Sequence, residues 1–189
     1  EGLTAEVVER IAQPTIDEMR SRGIPFVGVL YVGLALTSRG TRVIEFNARF
    51  GDPETQVVLS RLETPLSELL LSASTGSLAD LPELRWRDDA AVTVVVASDG
   101  YPAAPRTGGP VTGVGEAENL PGVHVLHAGT TTDDEGVLRS AGGRVLSVVG
   151  VGETLSEARR LAYSGVDRIV LPGSHHRTDI AEQAAADAR

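Results

Sequence analysis

One stretch of the chain is the most informative about its fold: Val43-Ile44-Glu45-Phe46-Asn47-Ala48-Arg49-Phe50-Gly51-Asp52-Pro53-Glu54. Apolar and polar residues alternate through its first half, which predicts a β-strand with one apolar face. Its second half combines turn-forming residues with a proline that suits the first turn of a helix. The stretch therefore predicts a strand that leads through a short turn into a helix N-terminus.

The polar face of this predicted strand carries three chemically distinct side chains. Strand alternation places Glu45, Asn47 and Arg49 on one side and Ile44, Phe46 and Ala48 on the other. A carboxylate and an amide two residues apart form a suitable pair of oxygen ligands for Mg²⁺, which prefers few protein ligands besides phosphate oxygens and water. A neighbouring arginine can bind phosphate oxygens. The alternative is that these three residues form only the solvated face of an amphipathic strand.

The turn after this strand offers a second group of polar residues. Free N–H groups at a helix N-terminus suit anions, so Asp52 and Glu54 lie next to a possible ligand site. Asp52 taken alone is better explained as the cap of the helix that begins at Pro53.

The residues before and after this stretch predict helices around a hairpin. Thr4 to Arg22 has the spacing of a helix that Pro14 should kink or split and that Gly23 should end. The apolar run Phe26 to Thr37 predicts a strand buried on both faces, which pairs with a second strand, Thr41 to Ala48, as a β-hairpin. Thr64 should cap a further helix that starts at Pro65 and ends near Gly76.

The pattern changes after a mixed polar segment at residues 77–88, where we predict a domain connection. Short strands and Gly- and Pro-rich loops dominate beyond it. The capping-box sequence Thr154-Leu155-Ser156-Glu157 predicts one helix. The predicted strands are Ala90–Ser98, Val123–Ala128, Arg144–Val151 and Arg168–Leu171, and a terminal helix is predicted from Ile180. The fold class is therefore α+β, with one domain over residues 1–76 and a small, mostly β domain over residues 89–189.

The composition argues against several classes of function. The 189 residues carry a formal net charge of −9, so long-range attraction to nucleic acid or to an anionic membrane is not expected. The chain has no cysteine, which fits a cytoplasmic protein. The longest apolar run, Phe26 to Leu36, is too short to span a bilayer. The chain begins at Glu1, directly in a helical pattern, and we interpret it as a fragment of a longer protein.

The histidines and a glycine-rich segment are weaker candidates. His175 and His176 are adjacent, and adjacent side chains rarely point at one ion. His124 and His127 lie on a predicted strand and are expected to be partly buried. The segment Thr107-Gly108-Gly109-Pro110 lacks the spacing of a dinucleotide-binding loop and predicts a turn.

The chain resembles the phosphoribosylamine–glycine ligases, which are ATP-grasp enzymes. The resemblance covers nearly the whole chain. The sequence departs from the family pattern at Asp99, Ala103–Arg106 and Leu171–Ser174. The resemblance rests on five stretches. These are Gly28–Leu34, Val43–Gln56, Ser98-Asp99-Gly100-Tyr101-Pro102, Gly142-Gly143-Arg144-Val145-Leu146 and His175–Ile180. It implies that residues 1–76 form the closing half of an ATP-grasp domain, followed by a small C-terminal domain, and that the N-terminal half of the enzyme lies outside this chain.

The resemblance also implies a reaction and roles for individual residues. ATP, glycine and 5-phosphoribosylamine would be the substrates, with glycinamide ribonucleotide as the product. Glu45 and Asn47 would hold Mg²⁺ or Mn²⁺, and Arg49 would steady the phosphoryl group. Gly51, Asp52 and Glu54 would bind substrate, and the two carboxylates would meet amines or ribose hydroxyls.

Two alternatives remain at this point. The chain could belong to another ATP-grasp ligase or to a carboxylase, although the Arg49–Glu54 string argues against both. It could also be a non-catalytic binding module built on the same fold.

Overall fold

The structure is a computed structural model that describes residues 2–187. The chain divides into two compact units. The first holds Glu1–Gly51 and Thr64–Leu84, and the second holds Asp52–Glu63 and Arg85–Arg189. Within residues 2–187 no helix is both long enough and apolar enough to cross a membrane.

The first unit begins with helical structure that contains a widened turn. Helix α1 (Gly2–Val7) passes through a π-helical turn (Val8–Ala12) into α2 (Gln13–Ser21). The N–H of Gln13 donates to the carbonyl of Val8, five residues back. Because a proline ring clashes with the carbonyl four residues earlier, the wide turn before Pro14 lets the helix continue. The predicted interruption at Pro14 is therefore a local change of winding. The helix ends before Gly23 as predicted, where the N–H groups of Gly23 and Ile24 donate to the carbonyls of Arg20 and Met19.

The hairpin follows. Strand β1 (Tyr31–Thr37) pairs antiparallel with β2 (Gly40–Asn47), with Thr37 opposite Gly40. The predicted first strand was too long, because residues 26–30 are irregular. The prediction that it is buried on both faces is also wrong, since Gly33 is its only buried residue and its last two residues are exposed.

The pairing of β1 and β2 contains a bulge. Gly33 lies opposite Glu45, but the next residue, Leu34, lies opposite Val43, so Ile44 is the extra residue. A bulge of this kind shifts the side-chain alternation by one position. Val43, not Ile44, therefore shares a face with Phe46, and the predicted apolar set is wrong at Ile44, which is 68% exposed.

After α3 (Glu54–Arg61), which belongs to the second unit, the chain returns to the first unit with α4 (Leu66–Thr75) and a short 3₁₀ turn (Leu78–Asp80). Pro65, not the predicted Thr64, occupies the N-cap position of α4, and Gly76 ends the helix as predicted.

The second unit is built around a three-stranded antiparallel sheet. Its strands are β3 (Ala90–Ala97), β4 (Val123–His127) and β7 (Arg144–Gly152), in the spatial order β3-β7-β4. Between them in the chain lie α5 (Val114–Glu118) and a small hairpin of β5 (Thr130–Thr132) and β6 (Leu138–Ser140). The sequence did not predict these three short elements. Arg168–Leu171 is not a strand, and only Val170 forms a single bridge, to Thr112.

Helix α6 (Leu155–Val166) covers one face of this sheet. The predicted capping box is present, since Thr154 Oγ1 accepts from the Glu157 N–H at 3.2 Å. Gly150 lies under the helix at a point where a Cβ would overlap the Ala158 carbonyl oxygen, so glycine allows the close packing of helix on sheet. The last described helix, α7 (Glu182–Asp187), packs against α6. Buried side chains of this unit form its core: Val92, Val94, Val96, Val123, Val125, Val145, Leu146, Val148, Ala158, Ala162 and Val166.

Candidate functional site

The two predicted metal ligands lie together on strand β2. The side-chain amide nitrogen of Asn47 donates to Oε1 of Glu45 at 2.9 Å. The two residues share a face because they are two positions apart, beyond the bulge at Ile44. Both are hard oxygen donors on a regular backbone, and the pair fits the small protein ligand set that Mg²⁺ uses beside phosphate oxygens.

The opposite face of β2 is turned toward the first unit's helices. Phe46 and Val43 line a cavity of about 570 Å³ together with side chains of the π turn and α2, among them Ile11 and Met19. The apolar and polar faces of this strand are thus separated at Phe46, as the alternation predicts.

Arg49 lies just beyond the end of β2 and not within the strand. Its guanidinium donates to the neighbouring Phe50 carbonyl at 2.6 Å. Strand alternation therefore does not set its direction, in contrast to Glu45 and Asn47. Gly51 follows and is buried.

Asp52 is held by two side chains of the second unit. One carboxylate oxygen accepts from the amide of Gln56 at 3.0 Å, and the other pairs with the Arg144 guanidinium at 3.2 Å. Arg144 also donates to the backbone carbonyl of Asp52 at 3.2 Å. The interpretation of Asp52 as the cap of α3 is wrong, because Pro53 occupies the N-cap position.

Arg144 is a residue that reasoning from the sequence missed. It stands 92 positions after Asp52, and no local pattern connects the two residues. The only signal in the sequence is its place in the Gly142-Gly143-Arg144 stretch, which carries the family resemblance and leads into a predicted strand.

Glu54 begins α3 and is exposed. With Val57 and Ile180 it lines a small cavity of about 270 Å³ against the start of β3. A carboxylate in the first turn of a helix is favourably placed relative to the helix dipole.

The histidines do not converge on a metal. Across residues 2–187, no three or more His, Cys, Asp or Glu side chains come together as a ligand set. His124 and His127 are exposed, contrary to expectation, and His127 Nδ1 lies 3.0 Å from Thr130 Oγ1. His176 packs against the ring of Tyr163, with ring centroids 6.1 Å apart.

Two carboxylates outside these groups have altered acidity. A hydrogen bond from the Arg139 guanidinium, aided by the Val137 N–H, lowers the pKa of Asp133 in the β5–β6 turn. A hydrogen bond from Arg177 likewise lowers the pKa of Asp179. Both pairs hold local loop structure, since each joins residues close in the chain.

Comparison with known proteins gives consistent matches. The family model "Phosphoribosylglycinamide synthetase, ATP-grasp (A) domain" matches residues 1–55, and the model "Phosphoribosylglycinamide synthetase, C domain" matches residues 91–183. Among curated proteins, the phosphoribosylamine–glycine ligase of Streptomyces coelicolor is 64% identical over 97% of this chain and 44% of its own length. That of Mycobacterium tuberculosis is 56% identical over 98% of this chain and 42% of its own length.

Solved structures extend the comparison to the fold. The crystal structure of phosphoribosylamine–glycine ligase from Thermotoga maritima matches with a TM-score of 0.77 and 32% identity, over 93% of this chain and 42% of that one. N5-carboxyaminoimidazole ribonucleotide synthetase from the same organism matches with a TM-score of 0.59 at 18% identity, which shows a shared fold. The chain thus spans less than half the length of the relatives it matches. Two models of one family together match more than three quarters of the residues of this chain. The chain therefore belongs to the phosphoribosylglycinamide synthetase family and contains part of the ATP-grasp domain and the C domain.

Proposed function

We propose that this chain is part of an ATP-dependent ligase that joins glycine to 5-phosphoribosylamine. A carboxylate oxygen of glycine attacks the γ-phosphorus of ATP, and the bond to the ADP oxygen breaks. The amine of phosphoribosylamine then attacks the carbonyl carbon of glycyl phosphate, loses a proton and expels phosphate. The products are glycinamide ribonucleotide, ADP and phosphate. The observation that carries this proposal is the Glu45–Asn47 pair on the polar face of β2, inside the stretch typical of the family.

Glu45 and Asn47 are the residues that would hold a divalent cation, Mg²⁺ or Mn²⁺. Their oxygens suit either ion, and their positions on a paired strand fix the spacing between them. A cation bound there would neutralise charge on the phosphates of ATP during phosphoryl transfer. The strand's contribution is to present both side chains on one face, with Phe46 directed away.

Arg49 follows the pair and would bind the transferred phosphoryl group. Its planar guanidinium can donate two parallel hydrogen bonds to phosphate oxygens. Its present acceptor, the Phe50 carbonyl, is a neutral group that an anion can replace.

Gly51, Asp52 and Glu54 would form the substrate-binding part of the site. Gly51 brings no side chain to the turn, and the two carboxylates can accept hydrogen bonds from amines or hydroxyls of a substrate. We further propose residues 1–76 as the closing part of the ATP-grasp domain and residues 89–189 as the small C-terminal domain, joined by residues 77–88. The matches at residues 1–55 and 91–183 support this division. An enzyme that consumes ATP in this way would act in the cytoplasm.

The test is an assay of ADP formation by the full-length protein that contains this chain. We expect ADP to form only when glycine and phosphoribosylamine are both present with Mg²⁺ or Mn²⁺. Replacing glycine with alanine, or the amine with ribose 5-phosphate, provides the matched controls and should abolish product formation. ADP formation driven by bicarbonate would instead indicate a carboxylase. Absence of ADP formation, with retained binding of a nucleotide, would indicate a binding module.

A further inference from the structure

The Asp52 carboxylate is unusually well fixed for a side chain that remains accessible. Gln56 donates to one of its oxygens and Arg144 pairs with the other, while Arg144 also holds the Asp52 carbonyl. The side chain of Asp52 is nevertheless 38% exposed. One face of the carboxylate is therefore held in place while lone pairs stay available to a ligand.

The arginine that holds Asp52 is itself fixed by its surroundings. Ser98 donates from its N–H to the Gly143 carbonyl and from its hydroxyl to the Gly142 carbonyl, each at 2.8 Å. The ring of Tyr101 lies so close to Gly143 that a Cβ there would overlap it. The loop 98–101 thus holds the backbone of the two residues before Arg144, at the start of β7.

Stability alone does not account for this arrangement. The Arg144 side chain is 41% exposed, and ion pairs with this degree of exposure contribute little to folding. The Arg144 guanidinium and the Gln56 amide of α3 hold different oxygens of one carboxylate and together orient it. Such orientation by surrounding hydrogen bonds is typical of residues that support a binding group.

We infer that Arg144 is a positioning residue that holds the Asp52 carboxylate in the direction in which it accepts a hydrogen bond from a substrate. This inference rests on the proposed function, because it takes Asp52 as a substrate contact. Arg144 acts through Asp52 and does not itself touch the reacting atoms.

The test is a double-mutant cycle in the full-length enzyme, with Arg144→Gln, Asp52→Asn and the double variant. We expect each single variant to raise the KM of the same substrate, glycine or phosphoribosylamine, by about tenfold. Because both changes remove one shared contact, the double variant should have a KM no higher than the worse single variant. The kcat should change much less than KM, and the Mg²⁺ dependence should remain that of the wild type.

Two further variants separate positioning from a general loss of structure. Arg144→Lys keeps the charge but cannot hold both the carboxylate and the carbonyl of Asp52, so its KM should lie between wild type and Arg144→Gln. Arg160→Gln makes the same change at an exposed position of α6 and should leave KM unchanged. Thermal unfolding of each variant shows whether it is folded. If Arg144→Gln is not folded, the comparison of Arg144→Lys with the wild type tests the inference.

Several outcomes would overturn the inference. Multiplicative effects of Arg144→Gln and Asp52→Asn would show that the two residues act independently. A wild-type KM in Asp52→Asn, or in both Arg144 variants, would show that the contact does not serve substrate binding. If the wild-type enzyme forms no ADP with glycine and phosphoribosylamine, the proposed function fails first, and that result is distinct from a failed cycle in an active enzyme.

Discussion

At the scale of single residues, the candidate metal site depends on an acidic group beside an amide. In the structure the amide of Asn47 donates to the Glu45 carboxylate. To hold a cation together with Glu45, the Asn47 amide would have to present its oxygen in place of the nitrogen, because only the amide oxygen can act as a ligand. The charge of Glu45 is therefore the property to remove first.

Glu45→Gln in the full-length enzyme keeps size and polarity but removes the negative charge. A divalent cation would then be held more weakly, and we expect turnover to fall on the order of a hundredfold, with partial recovery at high Mg²⁺. The assay is the rate of ADP formation across a Mg²⁺ titration. Thermal stability should change little, because the Glu45 side chain is exposed and a glutamine can still accept the hydrogen bond from the Asn47 amide.

The matched control for this change is Glu83→Gln, at an exposed position of the same unit. It should retain wild-type turnover at every Mg²⁺ concentration. Near-normal activity of Glu45→Gln at all metal concentrations would show that Glu45 is only a solvated strand residue.

Arg49→Lys tests the second group at this scale. Lysine keeps the charge but cannot form the planar, two-pronged contact with phosphate oxygens, so we expect turnover to fall on the order of tenfold or more. Arg39→Lys, in the turn of the same hairpin, is the control and should have no effect. Full turnover of Arg49→Lys with unchanged substrate affinity would exclude the phosphoryl-binding role.

At the scale of secondary-structure elements, the second unit depends on close packing of α6 on the sheet. Gly150 of β7 lies directly beneath the helix, and Ala158 and Ala162 are the helix residues nearest to it. Small residues on both sides bring the helix close to the sheet, which lets the buried valines on β7 contact its underside.

Gly150→Ala places a methyl group against the backbone of α6. The helix must move away from the sheet, and we expect the free energy of unfolding to fall by about 1–3 kcal/mol. Urea unfolding followed by circular dichroism measures the change. Gly115→Ala is the control, because it lies at an exposed position of α5 where a Cβ meets nothing within 4 Å, and it should be neutral or slightly stabilising. Equal stability of both variants would show that α6 is not tightly packed at Gly150.

At the scale of the whole molecule, the chain matches less than half the length of its relatives. The ATP-grasp family model matches only its residues 1–55. The hairpin leaves large apolar side chains exposed, including Leu36 and Ile44, each 68% exposed. Exposed apolar surface favours association.

We therefore expect the 189-residue chain by itself to fold but not to turn over ATP. Pure chain should release no ADP with glycine and phosphoribosylamine, whereas the full-length enzyme should do so under the same conditions. Sedimentation velocity should show association that increases with concentration, because the apolar hairpin surface is exposed. Measurable ADP release that depends on both substrates would show that residues 1–189 contain a complete active site.

The sequence by itself determined the local features of this protein. Alternation along β2 indicated that Glu45 and Asn47 share a face opposite Phe46, and the capping box indicated where α6 begins. These signals are readable because strand and helix periods, and the residues that cap a helix, act over only a few positions. The family resemblance came from the same local stretches.

Only the tertiary structure decided the features that depend on a distant partner. The bulge at Ile44 depends on how β1 pairs with β2. Because of the bulge, Val43 and not Ile44 lies on the apolar face. The contact between Arg144 and Asp52 joins residues 92 positions apart, and the β5–β6 hairpin is too short for a periodic signal. Strand register and long-range hydrogen bonds are set by packing of the whole unit, so no window of neighbouring residues contains the information that specifies them.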